Sequence, residues 1–316
     1  MKQFLPEADS KLLQTRARML ADIRVFFASR GVMEVDTPAL SQAGATDPAI
    51  HSLETLVDSQ RYYLQTSPEF PMKRLLSAGS GDIYQICKVF RAQESGRYHN
   101  PEFTLLEWYR LRMDHLALAE EVIALIKELD EERHRLTVKT IRYRDIFMSV
   151  LNFDPLTIEQ ERLEEVANKK ISGMPEGLDR NGCLDLLISH HISPAFPENQ
   201  LTVITDYPAS QAALARLNPD QKTAARFEIY WGPLELANGF HELDDAVEQK
   251  RRFDAENNQR KERELPEIPI DENLLSALES GLPDCAGVAL GLDRLLMQLT
   301  DKEHITEVLA FRFDRA

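Results

Sequence analysis

The chain has 316 residues, 43% hydrophobic and 28% charged, a balance that fits a folded globular protein and excludes a disordered one. Its 37 Lys and Arg against 52 Asp and Glu leave a formal charge of −15, so any site for nucleic acid or another polyanion must be local. No apolar run approaches the ~18 residues that span a bilayer, and Cys87, Cys183 and Cys285 lie too far apart for a disulfide framework or a Cys-based zinc module.

Leu13, Ala17, Leu20, Ile23 and Phe27 recur at steps of three and four, which predicts an opening helix stopped at Gly31. Val32 to Pro38 follow as a short extended run. Residues 62–66 and 83–90 read as strands, and another starts near Phe103 with Leu105, Glu107 and Tyr109 at period two. Leu116, Ala119, Ile123, Ile126 and Leu129 predict a helix over 116–133. Residues 136–200 give only two or three helices, with breaks at 173–177 and 194–197. Strands over 201–205, 227–231 and 234–243 lead to a polar helix over 245–264. A helix over 272–279, a turn at Gly281-Leu282-Pro283, a strand and a last helix from near Gly291 complete the chain. Antiparallel-looking strands with helices outside them predict an α+β fold with one central mixed sheet. With no repeat or linker in view, a single domain over residues 1–316 is expected. The polar N-terminus does not read as a signal peptide, and the sparse cysteines suit the cytoplasm.

Three separated pieces carry chemistry. Arg30-Gly31-Val32-Met33-Glu34-Val35-Asp36-Thr37-Pro38 is a helix-to-strand corner ending in proline. Val89-Phe90-Arg91, a polar loop, and the run from Arg97 to Tyr109 place an arginine at a strand end beside aromatic residues. A guanidinium there can neutralise a phosphate through two parallel bonds, while His99 or Phe103 can stack on a purine. Gly287-Val288-Ala289-Leu290-Gly291-Leu292-Asp293-Arg294 runs small residues into a helix, so backbone can approach a ligand and Arg294 projects toward it.

In this order the pieces resemble motifs 1, 2 and 3 of the class II aminoacyl-tRNA synthetases. The detail is similar to the lysyl branch: Thr66-Ser67-Pro68-Glu69, His99-Asn100-Pro101-Glu102-Phe103, Asp206-Tyr207-Pro208-Ala209 and Glu235-Leu236-Ala237-Asn238-Gly239. The resemblance covers nearly the whole chain, yet no segment corresponds to an anticodon-binding domain. A stand-alone catalytic core of this length resembles the truncated lysyl-tRNA synthetase paralogues that attach (R)-β-lysine to elongation factor P. Phe240-His241-Glu242-Leu243 and Gly287-Val288-Ala289-Leu290-Gly291 match that group more closely than the synthetases.

The resemblance implies a mostly antiparallel mixed sheet flanked by helices, a homodimer built around motif 1, and ATP-driven formation of β-lysyl-adenylate with Mg²⁺. The acyl group then passes to a lysine side chain of elongation factor P, with neither tRNA nor membrane as partner. Arg91 and Arg294 become the catalytic arginines, on the α- and γ-phosphates respectively. His99 and Phe103 flank adenine, and Gln93, Asn100, Glu235, Leu236 and Gly291 complete the ATP site. Ser67, Pro68, Glu69, Glu107, Tyr109, Glu242 and Ala289 surround the amino acid. Motif 2 departs from the family's Arg-x-Glu, reading Arg91-Ala92-Gln93; Gln93 keeps a carbonyl acceptor for the adenine amino group but lacks the charge. Two alternatives are a compact lysyl-tRNA synthetase and a silent synthetase paralogue serving as an interaction module. The absent anticodon domain and the charge of −15 oppose the first, and retention of Arg91, Arg294, Glu235 and Glu242 opposes the second.

Independent chemistry supports several of these roles. Lysine and β-lysine each carry two ammonium groups, so their site needs more than one acidic or hydroxyl partner. Glu107 and Tyr109, two apart on a strand, point to one face. Glu235 and Glu242 are seven apart and would face opposite ways on a regular strand. A hairpin turn at Asn238-Gly239, or a bulge at Gly239 in one long strand, brings them to one face; the family favours the bulge, with Gly232-Pro233 as the hairpin turn. Two meeting carboxylates need a cation, and Mg²⁺ bridging ATP phosphates is the natural one. Ala289 stands where lysyl-tRNA synthetases carry glycine, adding a methyl beside the substrate's backbone end. His190-His191 reads as structural, and the mixed charges of 245–264 as a solvated helix.

Overall fold

The computed structural model describes residues 4–131, 133–175 and 177–316. Helix α1 (Ser10–Ala28) starts where the Asp9 side chain accepts the Leu12 amide at 2.7 Å. It buries Leu12, Met19, Ile23, Phe26 and Phe27, while Ala17 of the expected stripe is exposed. Two adjacent phenylalanines decide that rotation: Phe27 stacks on Tyr84 and meets Trp108 edge-on. Short strands β1 (Met33–Glu34) and β2 (Leu40–Ser41) follow, then β3 (Glu54–Val57) and β4 (Gln60–Leu64). Asp58 and Ser59 join that hairpin, both at positive φ as a tight primed turn requires. Next come α2 (Glu69–Ser77), β5 (Ile83–Phe90), β6 (Glu102–Leu111) and α3 (His115–Asp130). Helix α3 stops short of the expected 133 because Glu131 turns left-handed at φ 48°; Glu132 lies outside the described residues.

Then follow β7 (Thr137–Arg142), α4 (Tyr143–Leu151), α5 (Gln160–Lys170), α6 (Arg180–Leu187), β8 (Gln200–Pro208), β9 (Thr223–Trp231) and β10 (Leu234–His241). The chain closes with α7 (Ala246–Glu262), α8 (Glu272–Gly281), β11 (Cys285–Gly291) and α9 (Leu292–Leu299). Strand β7 has no counterpart in the sequence-based expectations. It is an almost wholly exposed strand and so carries no apolar alternation to read.

Helices and mixed sheets make the fold α+β, and contacts divide the chain into two units. One takes in residues up to Met113 together with Leu243–Ala316, the other Asp114–Glu242. In the first unit the strands run β1-β5-β6-β11, with β1 parallel to β5 and the other pairs antiparallel. A small sheet, β2-β4-β3, accompanies them. The main sheet has two distinct faces. Tyr84, Trp108 and Val288 form one cross-strand row and Ile86, Leu106 and Leu290 another, an apolar face that receives Phe27 of α1. The opposite face carries the rows Gln85-Glu107-Ala289 and Ile83-Tyr109-Gly287. In the second unit the order is β10-β9-β8-β7, with β7 parallel to β8 and the rest antiparallel. Tyr143, Phe147, Leu163, Leu184, Ile204 and Tyr207 are among the residues of a core cluster formed by its helices and strands.

Candidate active site

Glu107 is only 2% exposed, and the Tyr109 hydroxyl donates to its Oε1 at 2.8 Å. Alternation along β6 puts both on one face, and antiparallel pairing sets Ala289 directly beside Glu107 and Gly287 beside Tyr109. Gly291 pairs with Leu105 in the same way. Beside Glu107 and Tyr109, β11 therefore presents only Gly287, Ala289 and Gly291, none with a side chain larger than a methyl group. Cys87, on the same face, has its thiol pushed up to about 12, first by burial and then by Glu107 and Asp36, so it stays protonated.

The loop between β5 and β6 gathers two arginines. Arg91 ends β5, where its amide donates to the Pro101 carbonyl at 2.9 Å. Its guanidinium donates to the Thr66 carbonyl at 3.3 and 3.4 Å, and Phe103 lies 5.2 Å away. Glu94 stands 3.7 Å from the same group. Arg294, in the first turn of α9, donates through Nε to the Tyr98 carbonyl at 3.2 Å and places Nη2 2.6 Å from His99 Nε2. A guanidinium only donates, so Nε2 accepts and the imidazole is neutral with its proton on Nδ1. Burial, then Arg294, hold the pKa of His99 below its usual value; Arg91 adds to this and Glu94 opposes it. Asn100 acts as a staple, donating to the Glu102 carbonyl at 2.6 Å and accepting the Phe313 amide at 3.4 Å. Gln93 sits exposed at φ 66°, a left-handed position in the turn after Arg91.

The segment Thr66-Ser67-Pro68-Glu69 opens α2, and the Ser67 hydroxyl accepts the Glu69 amide at 3.0 Å. The Glu69 carboxylate pairs with Lys73 at 2.7 Å, and Lys73 is 1% exposed. That partner escaped the sequence analysis although the spacing of four announces it. Close by, burial pushes Glu256 of α7 up to about 7, opposed by its hydrogen bond from Thr46 and reinforced by Asp47 and Glu69.

In the second unit, β10 is one continuous strand entered through Gly232-Pro233, with Gly232 at φ 54°. A bulge is present, but at Leu236 rather than Gly239: Glu235 pairs with Tyr230 and Ala237 with Ile229. The extra residue brings Glu235, Asn238, Phe240 and Glu242 to one face. The shared face is the one the sequence analysis expected for the two glutamates. Also on this face is Glu228, which accepts from Arg226 at 2.5 Å and Tyr230 at 2.7 Å. Glu242 is 1% exposed and its carbonyl accepts from Arg216 at 3.0 Å.

Asp206 occupies a bulge of β8 at φ 56°, and His115, Asn218 and Thr205 hold its carboxyl below the usual range, against a smaller opposing effect of burial. The Asp206-Tyr207-Pro208-Ala209 segment thus shapes a strand rather than presenting a reactive group. His190 and His191 lie on a π-helical turn, with Ser189 Oγ 2.8 Å from His190 Nδ1. Helix α7 pairs many of its charges internally but is not wholly solvated: Gln249, Phe253, Asn257 and Arg260 form a buried side. Among the described residues no three His, Cys, Asp or Glu side chains gather into a metal cage. None of the described helices is long and apolar enough to cross a membrane.

An α+β scaffold with an arginine on each side of one strand-connecting loop, above a buried Glu–Tyr face, defines a nucleotide-dependent activating enzyme. The chain belongs to the class II tRNA synthetases (D, K and N), whose family model matches residues 3–315. Within that family it is 48% identical to elongation factor P–(R)-β-lysine ligase of Vibrio cholerae, over 99% of this chain and 98% of the relative. The ligase of the same name from Edwardsiella ictaluri is 46% identical over 100% and 99%, and that from Klebsiella pneumoniae 46% over 98% of each.

Proposed function

We propose that this protein is an ATP-dependent ligase that activates (R)-β-lysine as its adenylate and transfers it to a lysine side chain of elongation factor P. What carries the reading is that Arg91, at the head of the β5–β6 loop, and Arg294 of α9, bonded to the same loop, stand at the end of the strand whose buried face presents Glu107 and Tyr109. Near-full-length similarity to ligases of that name supports the choice of substrates. The chain acts in the cytoplasm as a homodimer, a reading supported by three free cysteines and by exposed Val25 and Met33 around the first motif.

The substrate carboxylate is already ionised at neutral pH and attacks the α-phosphorus without a general base. The bond to the bridging oxygen breaks and pyrophosphate leaves with that electron pair. The protein's task is in-line placement and charge neutralisation, with Arg91 on the α-phosphate and Arg294 on the γ-phosphate. His99 and Phe103 flank the adenine, and Gln93, Asn100, Leu236 and Gly291 line the nucleotide. Glu107 with the Tyr109 hydroxyl, Glu69, and Ser67 beside Pro68 receive the ammonium groups, and Ala289 limits the room beside Glu107. In the second unit Glu242 is assigned to the substrate. Glu235, a half-buried oxygen donor, and Glu242, on the same face, would hold Mg²⁺. Bound magnesium neutralises charge on the phosphates. In the transfer step the neutral amine of the acceptor attacks the acyl carbonyl, the C–O bond to phosphate breaks, and AMP leaves while the amine's proton passes to that phosphate or to water.

Mass spectrometry of elongation factor P after incubation with ATP and (R)-β-lysine tests the reading. One added β-lysyl group is expected. The charge of −15 opposes tRNA as acceptor; charging of lysine tRNA with elongation factor P left unmodified would overturn the choice of acceptor. No ATP–pyrophosphate exchange with any lysine isomer would overturn the ligase reading altogether.

A further inference from the structure

Arg16 occupies the buried side of α1, in line with Leu12, Met19 and Ile23, where an amphipathic helix ordinarily carries an apolar residue. Its guanidinium reaches the first turn of α9. Nη1 lies 2.6 Å from Asp293 Oδ1, and Nη2 donates to Thr104 Oγ1 at 2.6 Å. Asp293 is 1% exposed, and its second oxygen accepts the Thr104 amide at 2.7 Å. One guanidinium, one carboxylate and one threonine therefore tie α1, β6 and α9 together across 277 residues of sequence.

The neighbours of this network give it meaning. Thr104 follows Phe103 on β6, and Arg294 follows Asp293 on α9. Successive helical residues point about 100° apart, so with Asp293 turned onto β6, Arg294 is left facing the loop, where it bonds Tyr98 and meets His99. Helix α9 begins at Gly291 with no side-chain cap, and the Asp293 anchor holds the rotation of its first turn.

We infer that Arg16 is a positioning residue for the nucleotide, acting through Asp293 to aim Arg294 at the terminal phosphate of ATP. The inference rests on the assignment of Arg294 made above. Lysine at position 16 keeps a charge beside Asp293, but a single ammonium cannot reproduce the planar fork to Asp293 and Thr104.

The test is ATP–pyrophosphate exchange by the full chain with (R)-β-lysine, comparing Arg16→Lys, Arg294→Ala and the double variant. Arg16→Lys is expected to raise KM for ATP on the order of tenfold, in proportion to a small misplacement of Arg294, with KM for (R)-β-lysine unchanged. In the Arg294→Ala background the same change should have no further effect on KM for ATP. Equal losses for both substrates, or effects that multiply in the double variant, overturn the positioning role while leaving Arg294 a phosphate ligand. An Arg294→Ala chain with unaltered KM for ATP overturns the phosphate assignment and this inference with it. Should Arg16→Lys fail to fold, Thr104→Val stands in for it, since it removes one arm of the fork and keeps the Arg16–Asp293 pair. An unchanged KM for ATP in that variant overturns the inference equally.

Discussion

Glu256 offers a stability test whose sign is set by burial. Removal from water raises its pKa from the ordinary 4.5 to about 7, against the opposing hydrogen bond from Thr46 and with help from Asp47. The folded state thus holds the proton more tightly than the unfolded chain. The associated stability is complete below pH 4.5 and is lost as pH rises through 7. At ~1.4 kcal/mol per decade, keeping the ionised carboxylate buried costs folding about 3 kcal/mol at pH 8. Glu256→Gln preserves shape and an acceptor for Thr46 but cannot ionise. Urea denaturation should find the variant more stable than the parent by about 2–3 kcal/mol at pH 8, with the gap shrinking to about 1 kcal/mol or less at pH 5 and m unchanged. No gap at pH 8, or one of the same size at both pH values, would refute the account of Glu256 as a carboxyl raised by burial.

Glu235→Gln or Glu242→Gln should cut ATP–pyrophosphate exchange on the order of 100-fold and raise the magnesium needed for half-maximal rate, and Glu242→Gln should also raise KM for (R)-β-lysine; full exchange activity in both single variants would remove the pair from the site. Ala289→Gly opens the position beside Glu107, and a methyl group is worth ~1–3 kcal/mol of discrimination, so the rate with α-lysine relative to (R)-β-lysine should rise. An unchanged ratio would take Ala289 out of substrate selection. Lys73→Met removes the 1% exposed ammonium that pairs with the Glu69 carboxylate and should destabilise the fold by about 3–5 kcal/mol in urea; the double variant with Glu69→Gln should recover most of that loss.

Strand β5 was legible to the residue as a short run rich in apolar and β-branched residues ending at Arg91, and β6 was legible because Leu105, Glu107 and Tyr109 repeat at period two. The helix of 245–264 was legible from Asp245, which caps it by accepting the Val247 and Glu248 amides at 2.9 and 3.0 Å. Strand β7 was not, since an exposed strand has no apolar face to betray it. Helix α2 was hidden because Pro68-Glu69 reads as a motif and its buried Lys73 interrupts the apolar stripe. In the site, parity disclosed that Glu235 and Glu242 share a face, but a bulge shifted from Gly239 to Leu236 looks the same to it. Arg16 was missed for the opposite reason. It becomes conspicuous only once the helix is known to turn Leu12, Met19 and Ile23 inward instead of Ala17.

Strand β11 divides its labour by parity. Val288 and Leu290 sit in cross-strand rows with Trp108 and Leu106, whereas Gly287, Ala289 and Gly291 line the face of Glu107 and Tyr109. On the proposed assignment, substitutions at the first pair are read out as folding and those at Ala289 as choice of amino acid. If Ala289 selects the substrate as proposed, a library varying position 289 among small residues explores new amino-acid substrates while Val288 and Leu290 keep the packing beneath, so preference can drift along this strand separately from the fold.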